Sequence, residues 1–242
     1  MRNTGVFNDL REGAPLVSVG VLTADLLSLG SQLKLIESAG AKLVHVDVMD
    51  GRFCPTITVG PPLIKAIKTA MLKDVHLMIE EPLAAVESFV AAGADIITVH
   101  AESSRHIHRV LQALGEMTNV NDAGRGILRG VGLNPGTPID VVGPLMDEIE
   151  MVLLLAINPG WKGQKFIPAT GRRVAEVIEV AGKAKKDILV CVDGGVTRDN
   201  IGDVARMGAD IIVAGSAIFD GKAPSENAKF MIGAAREAAP AR

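Results

Sequence analysis

The chain is laid out as short apolar runs separated by amphipathic stretches. Runs rich in valine, isoleucine and leucine occur near 16–22, 42–49, 73–79, 95–100, 129–134, 151–157, 187–193 and 210–214. Each is brief and apolar on both faces, the pattern of a buried parallel strand. Helical spacing fills the intervals, as in PPLIKAIKTAM (61–71) and PLAAVESFVAAG (82–93). Three joints resemble one another: AGAKLV at 39–44, AGADII at 92–97 and MGADII at 207–212. In each, a glycine (Gly40, Gly93 or Gly208) stands where a helix ends in the left-handed conformation before a strand begins. Their spacings fit two and then four units of roughly 25–30 residues, the length of one strand with its crossover. Eight strands alternating with helices predict a (β/α)8 TIM barrel; a doubly wound open sheet is the structural alternative. No low-complexity linker divides the chain. Residues 1–15 are expected as an N-terminal extension, and 16–242 as one barrel. TNVNDAGRGI (118–127) is expected as a polar, solvent-exposed and mobile loop ahead of the fifth strand.

Composition narrows the setting. Hydrophobic residues make up 48% of the 242, with a net charge of −3, and the mean hydropathy is +0.30. Such a chain buries a large core and does not remain disordered. No Lys/Arg run suggests nucleic acid, and no apolar run has the length of a membrane span. Residues 1–15 lack the apolar centre of a signal peptide. The two cysteines, Cys54 and Cys191, suit a reducing compartment better than a disulfide framework. The expectation is a cytoplasmic protein with neither a nucleic acid nor a membrane as partner.

Candidate chemistry appears where the strands end, because a barrel of this kind carries its site at the carboxyl ends of its strands. In AKLVHVDVMDGRFCP (41–55), Val44, Val46 and Val48 share one face while Leu43, His45, Asp47 and Met49 share the other. KDVHLMIE repeats the device with His76 and Met78, and ILVCVDGG ends with Asp193 in phase with Cys191 and Leu189. Taken singly, a histidine at a strand end is usually structural, and a carboxylate before a turn usually a cap. Two histidines and two aspartates at three strand ends, all in inward phase, point to a metal or acid–base site. Nitrogen and carboxylate donors suit Zn, Mn, Fe or Co. His100 ends the fourth strand and is a further candidate for the same mouth. His106 and His108 fall in the next helix and are expected at the surface, Asp50 is expected to cap the turn at Gly51, and both cysteines read as packing or rim residues.

Glycines follow the last three strands: NPGWKGQ (158–164), DGGV (193–196) and AGSA (214–217). Glycine lets backbone N–H groups approach an anion closely, and a phosphate site after strands seven and eight recurs in this fold. A phosphate ester is therefore the expected ligand. The candidate contacts are Gly160, Trp161, Lys162, Gly163, Gly194, Gly195, Gly215 and Ser216.

HVDVMDGRFCPTITVGPP, DVHLMIEEP, GADIITVH, GLNPGTP, NPGWKGQKFIP, VDGGV and GADIIVAGSAIF, in this order, resemble the ribulose-phosphate 3-epimerase family over residues 16 to 220. The resemblance implies a TIM barrel of the ribulose-phosphate-binding type and epimerisation at C3 of a ketopentose 5-phosphate, D-ribulose 5-phosphate to D-xylulose 5-phosphate. It implies one divalent metal ion held by His45, Asp47, His76 and Asp193, with Asp47 and Asp193 also the acid–base pair, His76 beside the substrate, and a homo-oligomer. Met49 and Met78 would wall the reacting carbons, or simply fill core. The chain departs from the family at Gly20, where serine is usual, at Thr56 (asparagine), at Trp161-Lys162 (Phe-Gly) and at Leu155 (methionine). These departures bear on which ketose phosphate is taken, four- and six-carbon sugars included. Related barrels that decarboxylate sugar or nucleotide acids carry Asp-x-Lys-x-x-Asp; here Met49 stands where that lysine would be. A non-catalytic sugar-phosphate-binding barrel is the non-enzymatic alternative.

Overall fold

The computed structural model describes residues 4–240. Eight parallel strands close into a barrel in chain order: β1 (Leu16–Gly20), β2 (Leu43–Met49), β3 (Leu72–Met78), β4 (Ile96–His100), β5 (Leu128–Leu133), β6 (Met151–Leu155), β7 (Leu189–Asp193) and β8 (Ile211–Ala214). All eight lie where the apolar runs predict, and the closed pairing of β1 with β8 excludes the open sheet.

Helix α1 (Thr4–Gly13) precedes β1. The crossover helices are α2 (Leu29–Ser38), α3 (Pro61–Ala66), α4 (Val86–Ala91), α5 (Ile107–Glu116), α6 (Thr170–Ala184) and α7 (Ile201–Arg206), and α8 (Pro224–Ala238) follows β8. Between β5 and β6 the crossover is a run of 3-10 turns, Ile139–Glu148, with Pro144 inside it; Gly143-Pro144 breaks an α-helix because proline lacks the N–H and clashes with the preceding turn. The stretch expected as one helix over 82–93 is a 3-10 turn at Pro82–Ala84 followed by α4. The stretch 61–71 leaves the helix after Ala66, because Thr69 and Ala70 bond instead to the Glu37 carboxylate. Gly40, Gly93 and Gly208 close α2, α4 and α7 at φ of 97°, 96° and 96°, values a side chain would strain.

The alternation along the strands divides the core. Val44, Val46, Val48, Val75, Leu77 and Val190 point outward into the layer between barrel and helices. Leu43, Ile96, Leu128, Met151, Leu189 and Cys191 fill the barrel interior. Of the expected extension, residues 1–3 lie outside the described residues. The rest contains α1, whose Leu10 is buried in the interior cluster with Val6 and Phe7 packed against it. At the same end of the barrel Arg11 reaches Asp210, 2.6 Å away at the start of β8.

The 118–127 stretch is exposed in part, as expected, and anchored in part. Thr118 and Val120–Gly124 are exposed. Asn119 is buried, and Asn119, Asn121 and Arg125 all donate to Oδ1 of Asp95 at the foot of β4. These three side chains pair with a buried carboxylate, while Thr118 and Asp122 are exposed. Among the described residues, no helix is long and apolar enough to cross a membrane.

Candidate active site

Strand phase brings the four candidate side chains together. His45 and Asp47 come from the inner face of β2, His76 from β3 and Asp193 from the end of β7. One donor atom from each lies within 4.8 Å of every other. His45 Nε2 is 3.1 Å from Asp47 Oδ1 and 3.7 Å from Asp193 Oδ2. His76 Nδ1 is 3.1 Å from Asp47 Oδ1 and 3.3 Å from Asp193 Oδ2. Both rings are fully buried, while the carboxylates keep some exposure toward the mouth.

Their neighbours favour the charged forms of His45, His76 and Asp47. Burial pushes His45 down, but the carboxylates of Asp74 and Asp47 outweigh it and raise the ring well above the ordinary histidine range. His76 is raised in the same way against burial by Asp193 and Asp47. Burial favours the neutral acid at Asp47, yet the two histidines hold it below the usual carboxylate range. A divalent cation at their meeting point would replace those protons as the compensating charge. Two imidazole nitrogens and two carboxylates in this proximity fit Zn, Fe, Mn or Co.

Around this set lie residues that sequence reasoning missed. His45 Nδ1 is 2.7 Å from Asp74 Oδ2, which also accepts the Ser18 hydroxyl at 2.8 Å. Asp74 is completely buried. The signal for it is register: Asp74 pairs with His45 across β2 and β3. His100 does line the site, with Nε2 2.8 Å from His76 Nε2; burial pushes its ring below the ordinary range. Its Nδ1 lies 3.0 Å from Glu102, the other missed carboxylate. His45 and His76 thus each have one nitrogen at the cluster and the other held by a partner, an arrangement that would suit a metal-bound imidazole.

A cavity of about 160 Å³ adjoins the two aspartates. Gly20, Gly194, Gly195, Gly215 and Ser216 line it with Asp47 and Asp193. Gly195 (φ 68°) is required as glycine: a Cβ there would lie 2.9 Å from the Phe166 backbone. Gly160, Trp161, Lys162 and Gly163 stand apart from this lining, on a rim loop. That loop is joined to the β2 loop where the Thr56 hydroxyl donates to the Gly160 carbonyl at 2.8 Å, and Trp161 is largely exposed. Met49 and Met78 face each other in the β2–β3 register at the mouth, Met78 buried. Asp50 Oδ1 accepts the N–H groups of Arg52 and Phe53 and so caps the turn. His106 and His108 are exposed, and Cys54 and Cys191 are buried free thiols. A larger concavity of about 660 Å³ lies at the opposite end of the barrel, beside Arg11, Asp187 and Asp210, away from the converging residues.

Comparison with known proteins points to one family. The profile described as "Ribulose-phosphate 3 epimerase family" matches residues 16–219. A ribulose-phosphate 3-epimerase of Bacillus subtilis is 44% identical over 206 residues, 84% of this chain and 91% of that protein. A chloroplastic ribulose-5-phosphate-3-epimerase of Arabidopsis thaliana is 40% identical over 230 residues, 93% of this chain and 79% of that protein. Among solved structures, KGPDC of Streptococcus mutans superposes with a TM-score of 0.66 at 15% identity, covering 93% of this chain and 98% of that one. At that identity the likeness concerns the fold alone.

Proposed function

The chain belongs to the ribulose-phosphate 3-epimerase family and is an epimerase; from that premise we propose that it inverts C3 of a ketose phosphate, D-ribulose 5-phosphate to D-xylulose 5-phosphate, by proton transfer between Asp47 and Asp193. What supports the reading most is the position of these two carboxylates. They rise from β2 and β7, separated around the barrel wall by β1 and β8, and both border one small cavity. Inverting a carbon beside a ketone requires a proton to leave one face and another to arrive on the opposite face. Two carboxylates on two sides of one cavity serve those roles, exchanging them when the reaction runs backward.

In this proposal His45, Asp47, His76 and Asp193 hold one divalent ion. Bound there, the ion would act as a Lewis acid that acidifies the C3 proton and stabilises the enediolate charge. One aspartate takes the C3 proton and the other delivers one to the opposite face. Met49 and Met78 exclude water from the reacting carbons. The backbone N–H groups at Gly194, Gly195, Gly215 and Ser216 receive the phosphate, with Gly160, Trp161, Lys162 and Gly163 closing over it from the rim. Gly20 leaves space where a side chain would contact the substrate, so ketose phosphates of four and six carbons belong in the same test.

The test is proton NMR in D2O with metal-loaded protein and D-ribulose 5-phosphate. The C3 proton signal should disappear as D-xylulose 5-phosphate appears, and Asp193→Asn should abolish both. No exchange with any four-, five- or six-carbon ketose phosphate would refute the proposal. Equal turnover by metal-stripped protein would refute its metal part.

A further inference from the structure

The contact between His76 and His100 joins two nitrogens, Nε2 to Nε2, at 2.8 Å. A single proton fits such a contact between neutral rings: two would set donor against donor, and none would set lone pair against lone pair. His76 Nδ1 faces Asp47 and Asp193, so a cation there needs that nitrogen bare and the proton of His76 on Nε2. His100 must then accept at Nε2 and carry its own proton on Nδ1. That atom lies 3.0 Å from Glu102 Oε2. The other oxygen of Glu102 accepts the Asn134 N–H at 2.8 Å and the Thr137 hydroxyl, which anchors the carboxylate. The His100 ring is fixed as well. It lies nearly parallel to His76, at 21° with centroids 5.0 Å apart, and Phe53 lies 4.7 Å away. Gly132 leaves room for it, since a Cβ at that position would come within 3.0 Å of Nε2.

We propose that His100 and Glu102 are positioning residues that hold His76 with its proton on Nε2 and so present Nδ1 to the cation. The inference rests on the metal reading above. It makes the two ligand histidines opposites: His45 is held at Nδ1 by Asp74 and offers Nε2, whereas His76 is held at Nε2 through a second imidazole and offers Nδ1. Glu102 acts on the ligand from two hydrogen bonds away and makes it a better donor.

Chelator competition with zinc and long-range proton–nitrogen NMR of the histidine rings test this together. In the wild-type protein, His100 should carry its proton on Nδ1, and zinc should sit on His76 Nδ1. His100→Leu, which fills space without accepting a hydrogen bond, should weaken zinc binding about 10–100-fold, the range for lost outer partners of a ligand. His100→Gln, whose amide oxygen accepts the same bond, should restore most of it, which a packing role would not require. Glu102→Ala, at a partly exposed position, should release His100 to carry its proton on Nε2, and it bears the test if His100→Leu does not fold. A wild-type His100 protonated on Nε2, or a His100→Leu protein that binds zinc as tightly as wild type, would overturn the proposal. A wild-type protein that takes up no zinc while His100 keeps its proton on Nδ1 would overturn the metal reading instead, and the hydrogen-bond polarity of the relay would stand.

Discussion

His45 and Asp74 stand opposite each other in the β2–β3 register, with Nδ1 of the ring 2.7 Å from Oδ2 of the carboxylate. The pairing fixes the ring so that Nε2 faces Asp47 and Asp193. Asp74→Ala should therefore weaken metal binding about 10–100-fold, as loss of an outer carboxylate does at comparable sites. Asp74→Asn, which keeps an acceptor but not the charge, should fall between wild type and Asp74→Ala. Zinc affinity by chelator competition measures both variants.

Which parts of this site are legible in the chain alone follows from the range of each signal. The inward phase of His45, Asp47, His76 and Asp193 is written in the two-residue alternation of three strands, and the glycine joints at Gly40, Gly93 and Gly208 mark where β2, β4 and β8 begin. Asp74 sits in the same alternation, two residues before His76, but its role depends on register with β2, which no local pattern carries. Glu102 follows the end of β4 and reads as a solvent-facing residue until His100 is placed. The polar stretch at 118–127 has the composition of an exposed loop, and only the position of Asp95 shows that its side chains are engaged. Gly160–Gly163 share their glycine signature with the cavity-lining loops, yet the bond from Thr56 holds them at the rim.

Two glycines of the cavity should respond differently to a side chain. At Gly195 a Cβ would meet the Phe166 backbone at 2.9 Å, and the φ of 68° is itself unfavourable for any other residue. Gly195→Ala should cost about 1–3 kcal/mol of stability, the range for backbone strain of this kind, and should raise KM for the phosphorylated substrate. At Gly20 a Cβ would have Gly215 Cα as its nearest neighbour at 3.4 Å, ordinary contact. Gly20→Ser should fold with stability within about 0.5 kcal/mol of wild type and change the ranking of ketose phosphates by kcat/KM. Urea unfolding and steady-state kinetics of the two variants check the contrast.

Helix α1 brings Leu10, 3% exposed, into the interior cluster of the barrel. Truncating a buried leucine removes its transfer energy and leaves a cavity. Leu10→Ala should therefore cost about 2–5 kcal/mol. The substitution lies at the barrel end opposite the aspartates, so kcat at a temperature where the variant stays folded should match wild type. A small change in unfolding free energy would mean that α1 is only loosely attached to the barrel.

Glu102 supplies a pH dependence whose sign is fixed by its partners. Burial favours the neutral acid, but His100, Thr137 and the Asn134 N–H outweigh it and bring the carboxyl to about 2, against 4.5 for the free side chain. A value lowered on folding stabilises the native state fully above the unfolded value, and the contribution fades as the pH falls from about 4.5 toward 2. A shift of this size would correspond to about 3 kcal/mol for a wholly buried group. Solvent screening at this partly exposed position reduces it to about 1 kcal/mol. Glu102→Gln should thus be less stable than wild type by about that amount at pH 6, and the gap should narrow steadily toward pH 3. Urea titrations of both proteins across that interval measure it. A gap that stays constant with pH would show that the carboxylate's charge contributes nothing to the fold and that Glu102 acts only through the shape of its hydrogen bonds.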